Sequence, residues 1–263
     1  MKTEILKHLP ADFAWQENIM WFDSVDSTNT RAKTLAILGM PHGTVLVAGH
    51  QSAGRGRMGR SFLSPKDMGI YMSVILRPEC KQEGLMHLTC AAAVAMCDAV
   101  EKAAGIRPGI KWTNDLVCGK RKIAGILTEV VTIPEQTAII LGIGINCCQQ
   151  IQDFDPSIQS FAGSLAMAAE KEIDRAKVAA EMILALKKMD ESLLTGKADV
   201  LSRYREDCIT LGKDISLVRG DDLHYGHAFG IDDNGALLVG FPDGHTEAVN
   251  SGEVSIRGMY GYI

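Results

Sequence analysis

The sequence predicts an α+β protein, in which a mixed sheet with helices packed on one side is followed by a small β-barrel. Three observations carry this. Strand patterns between residues 109 and 146 follow one another without the strict strand–helix alternation of a doubly wound fold. One long helix, Leu85–Ala104, has apolar residues at three- and four-residue steps. After Gly212 the texture changes to short β-rich segments separated by GDD, DDNG and PDG turns.

The elements follow in order. Residues 1–20 form a short mixed segment with Pro10, too short for a domain or a helix-turn-helix. Asn29–Leu38 reads as a helix, with Ser27 or Thr28 as N-cap and Gly39 just past its end. Thr44–Ala48 is β-branched and apolar, hence a strand, and Ile70–Leu76 is a second strand ended by Pro78. In the long helix Leu85, Leu88, Ala92, Met96 and Ala99 share a face, and Gly105 closes it. Short strands follow at Gly109–Trp112 and Leu116–Cys118, then longer ones at Ile123–Val131 and Thr137–Leu141, the last running into LGIGIN. Asp174 caps a helix to about Leu194, and another covers Ala198–Cys208. The C-terminal strands are Ile215–Val218, His224–Gly230, Ala236–Val239, His245–Ala248 and Val254–Arg257. A barrel this small leans on its neighbour. The boundary is placed near Leu211, giving domains 1–211 and 212–263.

The chain has 263 residues and a net charge of −5, so it lacks the basic footprint of a DNA-binding protein. Phosphate chemistry would need a local cluster of cations. The seven cysteines form no CxxC pair and no zinc spacing. Their apolar settings fit a reducing cytosol. The first residues have no apolar signal region and no segment approaches a membrane span, so a soluble cytoplasmic protein is expected.

The strongest motif is QSAGRGRMGR at Gln51–Arg60, where Gly54, Gly56 and Gly59 alternate with Arg55, Arg57 and Arg60. Glycine lets the backbone approach a ligand, and the guanidinium fork matches phosphate and carboxylate oxygens. Each charge-assisted hydrogen bond is worth about 1.5–3 kcal/mol. The loop lacks the Walker pattern, and no helix follows it as in a dinucleotide fingerprint. Its bland alternative is a solvated Gly/Arg loop. KWTND at Lys111–Asp115 reads equally as a tight turn or a site. In RKIAGIL, at Arg121–Leu127, strand alternation puts Lys122 on a face with Ala124 and Ile126, where an ammonium needs an anionic partner. The alternative is a strand-end Lys reaching for water. GIGIN at Gly142–Asn146 marks a bulge or close backbone approach. Ser27, Thr28 and Asn29 are explained equally by capping or by ligand contact. No local pattern suggests a Ser-His-Asp or Cys-His arrangement.

In this order, DSTNTRAK from Asp26, GRGRMGR, KWTND, RKIAGILTEV, GIGIN and SGEVSIR at Ser251–Arg257 together resemble the biotin–protein ligase family. The resemblance covers most of the chain. It implies a central domain like that of class II aminoacyl-tRNA synthetases and an SH3-like C-terminal barrel. It also implies a reaction: ATP and biotin give biotinyl-5′-adenylate with Mg²⁺, and biotin then passes to one lysine of a biotin carboxyl carrier protein. Carried over by position, Ser27, Thr28, Asn29, Gln51, Gly54, Arg55, Lys122, Gly125 and Gly142 would hold biotin. Arg55, Arg57, Arg60, Phe62, Lys111, Asn114, Lys122, Gly144 and Asn146 would hold ATP or the adenylate. Lys122, Arg55, Arg57 and Asp115 would serve the chemistry, with Asp115 as a candidate base and no residue assigned as a metal ligand. Thr113 stands where the family usually has Pro, and Phe62 where Trp is common. The DNA-binding domain of repressor members has no counterpart here, so DNA binding is not expected, while a homodimer is an expectation of the family. The competing readings are a lipoate or octanoate ligase or transferase, a non-catalytic biotin-binding module, and a repressor.

Overall fold

The computed structural model describes residues 1–80, 82–133, 136–219, 222–250 and 255–258. A short helix α1 (Lys2–Lys7) and strand β1 (Ile19–Phe22) open the chain. Then come α2 (Thr28–Ile37), β2 (Thr44–Ala48), β3 (Gly69–Leu76), α3 (Leu88–Ala104), β4 (Gly109–Lys111) and β5 (Asp115–Cys118). A long hairpin, β6 (Arg121–Ile133) and β7 (Gln136–Asn146), leads to α4 (Leu165–Ala169), α5 (Arg175–Ser192) and α6 (Lys197–Asp207). The last strands are β8 (Lys213–Arg219), β9 (Asp222–Ile231), β10 (Leu237–Gly240), β11 (Thr246–Val249) and β12 (Ser255–Gly258).

The first sheet has seven strands in the order β1-β2-β3-β7-β6-β5-β4. Only β1 and β2 run parallel; the other neighbours are antiparallel. The predicted α+β class holds, but the helices do not all lie on one side. Alternation along the strands separates two cores. Val45, Val47, Val74 and Leu76 join the large core with α1, α3, α5 and α6. Leu46, Ile75, Ala138 and Ile140 point the other way and pack under Ala32 and Ala36 of α2. The strand residues on both faces are apolar, so a one-sided pattern could not reveal the second layer.

Local chemistry explains the helix ends. The Ser27 hydroxyl accepts from the Thr30 amide, and Asp174 accepts from the amides of Ala176 and Lys177. Helix α3 has no side-chain cap, yet twelve of its 17 residues are buried. A buried Leu, Val or Met side chain contributes about 1.5–3 kcal/mol, against about 1 kcal/mol for a cap, so packing holds this helix. It begins at Leu88 rather than Leu85, because Gln82–Leu85 forms a 3-10 turn. Helices α1 and α4 and edge strand β1 were not predicted; each is six residues or fewer, too short to show a period.

The C-terminal sheet has five strands in the order β11-β10-β9-β8-β12, every neighbour antiparallel. The predicted last strand began at Val254; Ser251–Val254, and Gly220 and Asp221 of the GDD turn, lie outside the described residues. This sheet docks on the first unit through backbone acceptors. Trp112 Nε1 donates to the Gly235 carbonyl at 3.0 Å, and the Arg205 guanidinium donates twice to the Ile231 carbonyl. No helix among the described residues is long and apolar enough to cross a membrane.

Candidate active site

On the α2 face of the large sheet, the apolar floor under α2 gives way to glycine. Gly125 of β6 pairs with Gly144 of β7, and Leu127 pairs with Gly142. The missing side chains leave room that neighbours use. A Cβ at Gly142 would lie 1.9 Å from Asn29 Oδ1, and one at Gly144 would lie 2.5 Å from the Phe62 ring. Above this floor opens a cavity of about 890 Å³, within the range of about 300–1,000 Å³ usual for ligand sites.

One end presents the uncharged polar side chains of Thr28, Asn29 and Gln51. The first turn of α2 brings Thr28 and Asn29 over the floor. The Thr28 amide and hydroxyl donate to Gln51 Oε1 at 2.8 and 3.1 Å, and Gln51 Nε2 donates to Ser64 Oγ at 2.8 Å. Fully buried Ser73 lies 2.6 Å from Asn29 Oδ1 and 2.8 Å from Thr28 Oγ1. Asn29 Nδ2 donates to Glu129 at 2.9 Å. Every one of these side chains is fixed before a ligand arrives, which reduces the cost of binding.

The other end is cationic. The arginine loop is an irregular hairpin, closed by Gly56 N to Arg60 O at 2.7 Å and Phe62 N to Gly54 O at 2.9 Å. It aims Arg57 at Asn114, whose Oδ1 accepts at 2.8 Å while its Nδ2 donates to the Ile126 carbonyl. Burial lowers the Arg57 pKa from its ordinary value and nearby Asp115 opposes that, so the guanidinium stays charged. Lys122 Nζ lies 2.6 Å from Asp115 Oδ1. Lys111, also lining the cavity, is buried.

Lys122 reaches this site by a route that alternation misses. The prediction put it on a face with Ala124 and Ile126, but those two residues belong to the large core. The register between β5 and β6 shifts at Leu116/Val117, so that Leu116 pairs with Ala124 and Val117 with Lys122. Ile123 is the extra residue of this bulge, and it joins Ala124 in the core. Lys122 is thereby turned to the opposite face, with its Nζ 3.3 Å from a Cβ placed on Gly125.

The cavity gathers Ser27, Thr28, Asn29, Gln51, Arg55, Arg57, Arg60, Phe62, Lys111, Asn114, Asp115, Lys122, Gly125, Gly142, Gly144 and Asn146. Gly54 is the exception and does not line it. It is buried under the hairpin, where a Cβ would strike the Phe62 carbonyl at 2.3 Å. Several neighbours escaped the sequence reading. Ser73 and Glu129 fix Asn29, and Ser216 lines the cavity from β8. Phe154, Ile158 and Phe161 wall it from the loop after β7. Glu129 could have been found by stepping in twos from Gly125; the wall residues belong to no periodic segment and carried no signal. Among the described residues no group of three His, Cys, Asp or Glu could hold a metal ion.

Residues 21–146 match the model of the biotin/lipoate A/B protein ligase family, and residues 210–257 that of the biotin protein ligase C-terminal domain. The chain is 37% identical over 241 residues to the bifunctional ligase/repressor BirA of Bacillus subtilis, covering 91% of this chain and 71% of that protein. It is 33% identical to the biotin–[acetyl-CoA-carboxylase] ligase of Mycobacterium tuberculosis, covering 81% of this chain and 78% of the relative. The biotin protein ligase of Aquifex aeolicus, solved with biotin and ATP, superposes with a TM-score of 0.78 at 28% identity, over 92% of this chain and 99% of the other. With two domain models matched in order and a curated relative similar over most of its length, this chain belongs to the biotin protein ligase family.

Proposed function

We propose that this chain is a biotin–protein ligase: it joins biotin and ATP to biotinyl-5′-adenylate, releasing pyrophosphate, and transfers biotin to a lysine of a biotin carboxyl carrier protein. One observation carries the reading. A single cavity has an uncharged hydrogen-bonding end at Thr28, Asn29 and Gln51, a cationic end at Arg57, Arg60 and Lys111, and Lys122 lining it beside Asp115. A ureido ring suits the first end and a nucleotide phosphate the second.

In the first step the biotin carboxylate attacks the α-phosphorus and pyrophosphate leaves. Lys122 and Arg57 hold the negative charge that gathers on the phosphoryl oxygens, and Asn114 keeps Arg57 aimed without reorganisation. Holding both ligands in one cavity supplies the proximity. In the second step the carrier lysine, as the free amine, attacks the acyl carbon and AMP leaves. Asp115 orients Lys122. Once a phosphate takes over Lys122, the Asp115 carboxylate is available to accept the proton of the incoming amine. Mg²⁺ would screen polyphosphate charge when bound, and Asp115 is a cavity carboxylate that would help to hold it.

Residues 1–211 would carry the chemistry, with 212–263 as a C-terminal domain. We place the protein in the cytoplasm, as a homodimer that does not bind DNA. The polar end also argues against lipoate and octanoate. A site built to hydrogen-bond its ligand rejects an analogue lacking those groups by about 10⁴–10⁵. The test is pyrophosphate release from ATP with biotin, lipoate or octanoate as the only added acid, followed by carrier protein. Release with biotin and labelling of the carrier are expected. Release with lipoate alone would overturn the reading, and biotin binding without turnover would make the chain a binding module.

A further inference from the structure

Glu129 lies on the cavity face of β6, beyond Leu127 and behind Asn29. Its carboxylate is mostly buried and meets three donors, two from α2 and one from the arginine loop. Lys33 of α2 donates at 2.6 Å, Asn29 at 2.9 Å, and Arg55 of the arginine loop lies 3.2 Å away. Burial pushes the carboxyl up. The hydrogen bonds from Lys33 and Asn29, and then the charges of Lys33 and Arg55, outweigh it and hold the group below the usual carboxylate range. Two cations thus converge on one ionised side chain. Of the two, only Arg55 comes from the loop that covers the site, and it is the more exposed.

We infer that Glu129 is a positioning residue that latches the arginine loop over the biotin end through Arg55, while fixing the Asn29 amide beneath it. The inference rests on the ligase reading of the cavity. It divides the work of the loop between its arginines. Arg57, two residues on, is held by Asn114 and serves the phosphate end; Arg55 is turned toward β6 and serves closure. A carboxylate at this point also defines the Asn29 amide. Nδ2 faces Glu129 and Oδ1 faces Ser73, so the face offered to a ligand is set by partners outside the cavity.

A double-mutant cycle on the full-length protein separates this latch from simple structural support. Glu129→Gln keeps an oxygen for Asn29 but removes the charge that holds Arg55. Arg55→Gln removes the other half and alters an exposed side chain, so it leaves folding intact. The readouts are dissociation of labelled biotin, and escape of biotinyl-adenylate after one round of pyrophosphate release. Each single variant should speed both by about three- to fivefold, as for a partly exposed ion pair. The double variant should match the singles and not multiply them. Glu129→Asp, one methylene shorter, should recover part of the retention. Multiplying effects, or retention unchanged in Arg55→Gln, would overturn the latch. A wild-type protein without biotin-dependent pyrophosphate release would instead overturn the reading on which it stands, and the latch with it.

Discussion

A methyl group at Gly142 would sit 1.9 Å from Asn29 Oδ1 and must push that side chain off Ser73 and Glu129. Gly142→Ala should therefore raise the KM for biotin at least about tenfold, with only a small change in kcat once biotin saturates. Steady-state pyrophosphate release measures both. Lys122→Ala should do the reverse. It removes a charge placed for the transition state, so adenylate formation should fall by about 10²–10³ even at saturating biotin and ATP; unchanged single-turnover formation would remove Lys122 from its role. The identities of these residues were legible in the sequence, but their neighbours less so. Gln51 and Asn29 are named by motifs, whereas Ser73 sits in an apolar strand and is revealed only when β3 is laid beside α2.

At the scale of elements, strand and helix positions were well marked where a period ran long enough. Strand β2 has the predicted bounds, and α5 begins after its predicted cap. What failed was the side on which things lie. The bulge at Ile123 turns Lys122 over, and a strict two-residue period cannot announce a bulge. Ionic clamps between elements were equally silent. Asp98 of α3 accepts from Arg203 of α6 and from Arg107, which also binds Asp207. Burial raises the Asp98 carboxyl, but those guanidinium bonds outweigh it and hold it below its usual value of 3.8. Glu129 is likewise held below 4.5. A carboxyl whose folded pKa is depressed stabilises the fold above its unfolded pKa, and loses that contribution as pH falls through the folded value. Stability should thus decline as the pH drops below about 4.5. Denaturant midpoints taken across that range should fall less steeply for Asp98→Asn than for the parent.

At the scale of the molecule, the C-terminal strands share the large core with the first unit, and a buried hydrogen bond ties the two. Trp112, 4% exposed, belongs to the KWTND segment and donates to the Gly235 carbonyl in the turn between β9 and β10. Trp112→Phe keeps most of the packing but leaves that carbonyl without its donor, at a cost of about 1–3 kcal/mol. Equilibrium unfolding in urea would measure it. Because Trp112 and Ser216 both line the cavity, the same variant should also weaken ATP use, seen as a raised KM for ATP. That the C-terminal segment contributes to the cavity could not be read along the chain, since Ser216 stands in an ordinary strand pattern.

The glycine floor has a consequence for redesign of the ligand. Where Gly125, Gly142 and Gly144 lie, the surface is already bare main chain, so no substitution can deepen it. Mutagenesis there can only subtract volume. An enlarged biotin analogue must be accommodated sideways, by trimming the walls, and Phe62 over Gly144 is one obstacle that can be shortened. Laboratory evolution toward bulkier acyl groups should accordingly collect its gains at Phe62 and the loop after β7, and leave the three glycines untouched.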